Sequence, residues 1–374
     1  MYLIYFIQSF LFFSTGFFAK REYDVVFYYP HHFNRGDKNE NVFFKQLLEC
    51  CDKHNISYVV FEEPDYTSAA KRNKNAISFD FMYVLIVLLR KLFSTEMNIQ
   101  IKDQKIGRFL SKIFFRKFIF KHYITLSQSM LSVFRGINPD AKLFDLQHGI
   151  IHNNKENYLM HGFVDKNLRA NNVHLLLHGK SYKALLVKNE VADYFQTHTH
   201  VIGSNASLAN FKHQQFNNKV LITLQFTHDH SEAENKALKE ELTSFISSFN
   251  TAINFYLKHH PRFNNEVDLN KILALDNVHL APSYIDECFD LCSVHATAYS
   301  TCTFEAALLG IPTVLINPLR AHNYFENDFN YPLKHGLSDF SNEEIYTFSS
   351  KEISQWASAY YEPFNSEKFL NLLQ

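Results

Sequence analysis

The chain has 374 residues, 46% of them hydrophobic, and its 37 Lys and Arg nearly balance its 38 Asp and Glu. This length is too great for one ordinary core and predicts two domains of roughly 150 to 200 residues each. The balanced charge excludes a general electrostatic attraction to nucleic acid, so we predict no nucleic-acid partner. Five cysteines without framework spacing indicate a reducing compartment.

Residues 1–20 form an apolar segment that ends in Lys20. A membrane-spanning helix needs about 20 apolar residues, and the polar residues Gln8, Ser9 and Ser14 make this run borderline. The basic charges follow the apolar run, whereas in a signal peptide they precede it. Three interpretations stay open, namely a membrane anchor, an interfacial helix and a buried first helix. The sequence favours a membrane-associated segment over a cleaved signal.

From residue 21 onward, short runs of β-branched and aromatic residues alternate with helical patterns. This βαβ order is typical of a parallel sheet. We predict a first Rossmann-like domain over residues 21–214. Its predicted elements are strand Tyr23–Tyr29, helix Asn41–Lys53, strand Tyr58–Phe61, helix Phe79–Phe93, and strands Leu143–Leu146 and Val173–Leu177.

Residues 102–121 are predicted as a basic helix, because Lys105, Arg108, Lys112 and Arg116 recur at spacings of three or four. A basic helix with aromatic neighbours can lie on an anionic membrane surface, although a solvated basic face over a packed apolar one is the ordinary interpretation. Together with residues 1–20, this segment predicts peripheral membrane contact.

A second Rossmann-like domain is predicted over residues 215–345, after a polar stretch, and residues 346–374 are predicted as a helical tail. No Gly-x-Gly-x-x-Gly motif occurs, so we expect no dinucleotide cofactor. The predicted elements are strand Val220–Leu224, helix Ser231–Phe249, strands Ile253–Leu257, Val278–Leu280 and Ser293–Ala296, helix Thr301–Leu309 and strand Thr313–Ile316.

Polar residues stand at the ends of the strands in this second domain. Ligands of an open parallel sheet bind outside the carboxyl ends of its strands, where N–H groups and helix N-termini attract anions. His260 follows one predicted strand, and Ser300 with Thr301 begins a predicted helix. These residues are candidate phosphate ligands, and a charged His260 would offset the charge on a departing nucleotide. A simple helix N-cap is the alternative for the Ser-Thr pair.

Three neighbours complete this candidate donor site. Glu305 comes one helical turn after the Ser-Thr pair and is a candidate ribose ligand, while Lys258 and Arg262 would add positive charge. His228-Asp229-His230 follows another strand end. A solvated turn is the favoured interpretation, and a place at the ligand-binding edge is the alternative, because loops at the carboxyl ends of strands face that edge.

The first domain offers a candidate base in Asp145-Leu146-Gln147-His148-Gly149. A strand that ends in polar residues and a glycine turn would direct His148 or Asp145 towards a substrate. A hydrogen-bonded structural histidine is the alternative.

A metal site is not predicted. Cys288, Cys292 and His295 have helical spacing, but no second ligand pair follows, and free cysteines are usually small buried apolar residues.

Taken together, these segments resemble GT-B glycosyltransferases, in particular the bacterial surface-polysaccharide group with an HP motif and a Ser/Thr motif. That group includes capsule Kdo transferases, polysialyltransferases and CDP-glycerol glycerophosphotransferases. The resemblance covers roughly residues 140–318 and rests on His260-Pro261-Arg262, Ser300–Glu305, Gly310–Val314, Asp145–Gly149, His178–Lys183 and Val201–Ser204.

The resemblance implies an α/β GT-B fold, with two Rossmann-like domains and a cleft between them. The first domain would face the acceptor, the second would bind the donor, and the tail would pack back. His148 corresponds to the proposed base of the glycerophosphotransferases, whereas an acidic base, as in the Kdo transferases, would be Asp145. Retaining GT-B enzymes usually carry a glutamate where Thr297 stands, so a retaining mechanism is not favoured.

The function implied is an inverting transfer from a nucleotide-activated donor, CMP- or CDP-linked by resemblance, to a surface-polysaccharide or lipid-linked glycan. No Asp-x-Asp motif occurs, so we expect metal-independent transfer without a cofactor. The enzymes it resembles would place it in the cytoplasm, at the inner face of a bacterial membrane. A CDP-glycerol-type transferase, a sugar-nucleotide epimerase and a non-catalytic carbohydrate-binding protein stay open as alternatives.

Overall fold

The computed structural model describes the chain apart from residues 1, 16–17, 19, 35–38, 67–69, 94–95, 206–211, 228–229, 261–262, 264–266, 317–324 and 333. The chain forms two compact units. Unit 1 combines Met1–Asn205 with Phe364–Gln374, and unit 2 is Ala206–Pro363.

Parallel strands build unit 1. The strands of its main sheet are β1 (Arg21–Pro30), β2 (Tyr58–Glu63), β3 (Ile77–Ser78), β4 (Phe118–Leu126), β5 (Lys142–Leu146), β8 (Val173–Leu177) and β9 (Thr199–Val201). Among the described residues, their order in the sheet is β3-β2-β1-β4-β5-β8-β9, and every neighbouring pair is parallel. A small antiparallel hairpin consists of β6 (Leu159–Met160) and β7 (Phe163–Val164).

The central strand β1 explains why the sequence shows a continuous apolar run. Phe27 packs on Phe44 before helix α2, with ring centroids 5.1 Å apart, whereas Tyr28 faces the other side and contacts Phe79 and Phe134. Both faces of a parallel sheet are covered by helices, so neither set of alternate residues can be polar. The helices of this part are α1 (Tyr2–Thr15), α2 (Lys45–Lys53), α3 (Asp80–Leu92), α4 (Ile99–Ile113), α5 (Leu131–Ile137), α6 (Lys166–Asn171), α7 (Lys180–Asn189) and α8 (Tyr194–His198).

The prediction of a basic helix over residues 102–121 is wrong for the second half of that range. Helix α4 ends at Ile113, and the chain then enters β4, which pairs with both β1 and β5. Phe118, Phe120 and Tyr123 are buried in this strand, while Ile119 and Lys121 between them are exposed. That alternation has the period of a strand, and the burial of the aromatic side chains outweighs the helical spacing of the basic residues.

Helix α1 packs against the fold by one side. The ring of Phe13 is buried against Phe61, Phe79 and Phe115, with centroids 5.3 to 5.5 Å apart. Within the described residues, no helix is both long and apolar enough to cross a membrane.

Unit 2 holds a second parallel sheet. Its strands are β10 (Lys219–Thr223), β11 (Asn254–Lys258), β12 (Val278–Leu280), β13 (Val294–Thr297) and β14 (Thr313–Leu315). They are arranged β12-β11-β10-β13-β14 in the described part of the chain, all in parallel. The helices are α9 (Glu232–Ser247), α10 (Asn270–Leu273), α11 (Ile285–Leu291), α12 (Cys302–Leu308), α13 (residues 325–329) and α14 (Glu343–Tyr360).

The tail is two helices rather than one. Helix α14 ends at Tyr360 in unit 2, and after a break that contains Pro363 the helix α15 (Ser366–Leu372) belongs to unit 1. Phe369 of α15 is fully buried in the hydrophobic cluster that includes Leu47 of α2.

Both sheets reverse their strand order near the middle. In unit 1 the chain proceeds outward from β1 to β3 on one side and from β4 to β9 on the other, so the order reverses between β1 and β4. In unit 2 it reverses between β10 and β13. Ligands of open α/β sheets bind at such a switch point, outside the carboxyl ends of the strands.

Candidate functional site

Three polar side chains follow the strands on one side of the unit 1 switch point. Ser127 comes after β4, His148 after β5 and His178 after β8. The Ser127 hydroxyl lies 3.1 Å from Nε2 of His148. Burial, together with the nearby His148, lowers the pKa of His178 to about 4, so that His178 is neutral at physiological pH. The structure therefore brings these three residues together.

The ring of His148 is held from the β1 side of the switch point. It packs edge-on against Phe33, which follows β1, and against Phe43, with centroids 5.2 and 6.4 Å away. Gly149 beside it is exposed, and a side chain built there would meet no atom within 4 Å. The His148 ring is thus held in place, with free space beside the neighbouring Gly149. A general base needs both a fixed position and room for the hydroxyl that gives up its proton.

The turn that carries Ser127 has unusual backbone geometry. Ser127, Gln128 and Met130 have φ values of 54°, 56° and 54°, in the left-handed region that favours glycine. Such conformations persist only where surrounding contacts impose them. Here Asp145 accepts a hydrogen bond of 2.8 Å from the Gln128 N–H, and the Tyr123 hydroxyl donates to the Ser129 carbonyl at 2.6 Å.

Asp145, the alternative base, lies inside the protein. It is fully buried, and its second oxygen accepts a hydrogen bond of 2.8 Å from the Tyr158 hydroxyl. Burial raises the pKa of its carboxyl to about 7, against the effect of these two hydrogen bonds. Through its hydrogen bond to the Gln128 N–H, Asp145 holds the turn that carries Ser127 beside His148.

In unit 2, His260 follows the end of β11. Its carbonyl accepts a hydrogen bond of 2.9 Å from the Phe263 N–H, and the preceding His259 stacks on the Phe263 ring at 4.2 Å. His260 is half-buried. Pro261 and Arg262, the rest of the motif, lie outside the described residues.

Lys258 is engaged by the protein itself. Its ammonium donates to the Pro282 carbonyl at 2.9 Å and also to the carbonyl of Ser283. These contacts anchor the loop after β12, so Lys258 is a structural residue in this conformation.

Ser300 and Thr301 occupy different environments before α12. Ser300 is buried, and its hydroxyl accepts a hydrogen bond of 3.2 Å from the Cys302 N–H. Thr301 and Glu305 are exposed. Thr297 is fully buried, accepts the Ser300 N–H at 3.1 Å and donates to the carbonyl of Thr223, which leaves it no access to a substrate.

Sequence reasoning missed one pair at the unit 2 switch point. His230, which follows β10, is hydrogen-bonded to the Tyr299 hydroxyl, which follows β13, at 2.6 Å. The other ring nitrogen of His230 lies 3.3 Å from Asn235. The sequence favours a solvated turn for His228–His230, of which residues 228 and 229 lie outside the described part. His230 does lie in a turn, but it is half-buried and hydrogen-bonded within the protein. A cluster of histidines directly after a strand was the signal.

His260 follows β11, and Thr301 follows β13. Strands β11 and β13 flank β10, so with neighbouring strands about 4.8 Å apart their carboxyl ends are separated by about 10 Å. His230 follows β10, the strand between these two ends.

His295 belongs to the core rather than to a metal site. Its ring nitrogens lie 2.8 and 2.9 Å from the hydroxyls of Thr223 and Thr313, and burial lowers its pKa to about 3. Cys288 and Cys292 are buried as well. Within the described ranges, no group of three or more potential ligands is arranged to hold a metal ion.

No protein family and no curated protein matches the chain by sequence. Solved structures do match its fold. A UDP-GlcNAc 2-epimerase from Methanocaldococcus jannaschii has a TM-score of 0.53 and 11% identity, and the match covers 93% of this chain and 99% of that one. The same enzyme has been solved in complex with UDP-GlcNAc and UDP.

Two further structures agree. The wall teichoic acid polymerase TagF has a TM-score of 0.52 and 12% identity, with 100% of this chain and 96% of that chain covered. A putative UDP-N-acetylglucosamine 2-epimerase from Listeria monocytogenes has a TM-score of 0.52 and 12% identity, covering 94% and 95%. These likenesses confirm the predicted α/β, GT-B fold class with two Rossmann-like domains.

Proposed function

We propose that this protein is an inverting, metal-independent glycosyltransferase that uses a nucleotide-activated sugar. The observation that carries the proposal is His148, which is held by Ser127 and Phe33 at the switch point of unit 1, beside the open backbone of Gly149. A histidine fixed at the ligand-binding edge of a Rossmann-like unit suits the role of general base.

The donor would occupy the matching edge of unit 2. His230 and Tyr299 bridge the switch point there, and His260 and Thr301 follow β11 and β13. The ring of His260 and the hydroxyl of Thr301 would supply hydrogen-bond donors for phosphate oxygens, and a protonated His260 would stabilise the charge on the departing nucleotide. The resemblance of the motifs favours a CMP- or CDP-linked donor, while the epimerase of the same fold binds UDP-GlcNAc.

The proposed step is a single displacement. The acceptor oxygen attacks the anomeric carbon, and its proton passes to the imidazole of His148 as the new C–O bond forms. The bond between the anomeric carbon and the phosphate oxygen breaks, and its electron pair leaves with the nucleotide. Asp145 takes no part in proton transfer, because it is fully buried and both its oxygens accept hydrogen bonds within the protein.

The proposed acceptor is a surface-polysaccharide or lipid-linked glycan, reached from the cytoplasmic face of a bacterial membrane. The neutral, half-buried His178 beside His148 and the half-buried ring of Phe43 give this edge the polar and aromatic groups that sugar hydroxyls and ring faces contact.

A sugar-nucleotide epimerase is the second candidate, because two of the solved structures with this fold are 2-epimerases. An epimerase would convert its donor without an acceptor, whereas a transferase releases the nucleotide when an acceptor is present. Proton NMR of each UDP-, CDP- and CMP-sugar, with and without a glycan acceptor, separates the two reactions.

Binding and turnover are tested on variants at each site. Thermal-shift measurements with CMP, CDP, UDP, GDP and their sugar conjugates identify the donor, since a ligand of the native state raises the melting temperature. We expect His260→Ala to weaken nucleotide binding. His148→Ala should leave it unchanged but lower turnover roughly 100- to 10,000-fold.

His54→Ala is the matched control, because His54 is exposed at the end of α2. It should alter neither property. Absence of any nucleotide-induced shift in the native protein would overturn the placement of the donor site. Full turnover by the His148 variant would remove His148 from the mechanism.

A further inference from the structure

We infer that one face of unit 1 binds an anionic lipid bilayer, through the outward side of α1 and the cations beside its C-terminal end. The inference concerns a surface separate from the proposed transfer site, and it can be tested without any donor or acceptor.

The outward side of α1 is apolar and unusually exposed. Leu3, Ile4, Ile7, Phe10 and Leu11 are between 44% and 71% exposed. Spacings of three and four residues place them on one stripe of the helix. A helix of a globular protein normally turns polar residues outward, so a contiguous apolar stripe marks an interaction surface.

The inward side of α1 fixes this stripe in position. Phe6 packs on Phe81 of α3 with ring centroids 5.6 Å apart, and Phe10, at the boundary between the two sides, contacts the same ring at 5.1 Å. The buried hydroxyl of Ser9 accepts a hydrogen bond of 3.2 Å from the Phe81 N–H. The helix therefore uses one side for the core and presents the other side as a rigid surface.

Cations surround the C-terminal end of α1. The Arg21 guanidinium lies 3.8 Å over the ring of Phe12 and donates to the Thr15 hydroxyl at 2.6 Å. Lys117 donates to the carbonyl of Phe18, whose side chain is 85% exposed. Amphipathic helices with apolar side chains on one side and Lys or Arg at the boundary lie in the interface of anionic membranes.

Helix α4 continues the basic character. Phe114 at its end contacts Phe81, which also contacts α1. In residues 99–117 the acidic residue Asp103 is buried and paired with Arg90 at 2.7 Å. Five Lys and Arg side chains in the same range are exposed, namely Lys105, Arg108, Lys112, Arg116 and Lys117. Of these, Lys105 pairs with Glu96.

The positive charge beside α1 favours an anionic bilayer as the binding partner of this surface. In a symmetric contact with a second copy, the surface meets its own counterpart. Its exposed Lys and Arg side chains outnumber Glu22 and Glu96, the acidic partners of Lys20 and Lys105, so net positive charge would face net positive charge. Anionic headgroups instead complement this charge, while the apolar stripe enters the boundary between headgroups and acyl chains. Because α1 has 14 residues, it lies on the bilayer rather than across it.

The test is vesicle flotation of the full chain. We expect binding to phosphatidylcholine vesicles that contain phosphatidylglycerol, weaker binding without it, and loss of the difference at about 1 M salt, where charges are screened. The double substitution Ile7→Glu and Leu11→Glu should lower binding roughly tenfold or more. Arg116→Gln with Lys117→Gln should lower it roughly fivefold per charge at low salt only.

Leu280→Glu with Phe348→Glu is the matched control, since both side chains are about equally exposed in unit 2, at 58% and 57%. Circular dichroism and melting temperature establish that all variants fold. No binding of the native chain to anionic vesicles, or equal losses in the control, would overturn the inference. A dimer in light scattering that only the α1 variant abolishes would assign the surface to a second copy instead.

Discussion

Replacement of Asp145 by Asn should stabilise the protein at neutral and alkaline pH. Burial raises the pKa of this carboxyl from its ordinary 3.8 to about 7. At ~1.36 kcal/mol per pKa unit, the ionised form is disfavoured in the folded state by about 4 kcal/mol. The folded protein therefore binds a proton more tightly than the unfolded chain, and Asp145's contribution to stability falls as the pH rises from about 4 to about 7.

The Asn variant lacks this titration. Its amide oxygen still accepts the Gln128 N–H, and its amide nitrogen faces the Tyr158 oxygen. We expect the difference in unfolding free energy, variant minus native, to grow by up to about 4 kcal/mol between about pH 4 and pH 8. Urea unfolding across that pH range measures it. A difference that stays constant with pH would refute the reasoning.

The Asp145→Asn variant also shows whether Asp145 positions the Ser127 turn or acts as the general base. Because Asn preserves the turn that presents Ser127 to His148, transferase turnover should stay within roughly threefold of the native value. Asp145→Ala removes the acceptor for Gln128 and should lower both stability and turnover. A loss of 100-fold or more in the Asn variant, with an altered pH profile, would make Asp145 the base.

Three further substitutions test close packing and ion pairing within unit 1. Gly107→Ala should destabilise by roughly 2–4 kcal/mol in urea unfolding, because the new carbon would lie 2.1 Å from the Val133 carbonyl; an unchanged midpoint would contradict this contact. Gly149→Ala should leave stability within about 0.5 kcal/mol but lower kcat/KM roughly tenfold, since it fills the space beside His148; unchanged initial rates would show that no acceptor occupies it. Arg72→Met should cost roughly 3–5 kcal/mol in the same unfolding assay, because the buried Arg72 pairs with Glu62 and Asp80; a smaller loss would mean that the two carboxylates find other partners.

Much of the fold could be predicted from the sequence, because strands buried on both faces leave continuous apolar runs. The runs at Val25 and Val220 were predicted as strands, and the structure confirms them as β1 and β10. Strand β4 was missed because Lys117 and Lys121 extend the helical spacing of the basic residues before it. Its identity depends on pairing with β1 and β5, which local sequence does not encode.

The site was predicted less completely. His148 was identified from the glycine turn that follows it, but the turn at Ser127 contains no glycine, so nothing local indicated left-handed backbone. That conformation is imposed by Asp145, 17 positions later in the chain. The burial of Asp145 likewise depends on Tyr158, so its role became visible only in three dimensions.

The return of α15 to unit 1 affects how this protein is made. During synthesis on the ribosome, residues up to Asn205 emerge long before Phe364–Gln374, which complete the same unit. The place that Phe369 fills beside Leu47 stays empty in the meantime. Unit 2 is continuous in sequence and can finish folding first, although it is translated second. A nascent chain stalled near Pro363 would therefore carry a complete unit 2, while the hydrophobic cluster of unit 1 would lack Phe369 and would be prone to aggregation or chaperone binding.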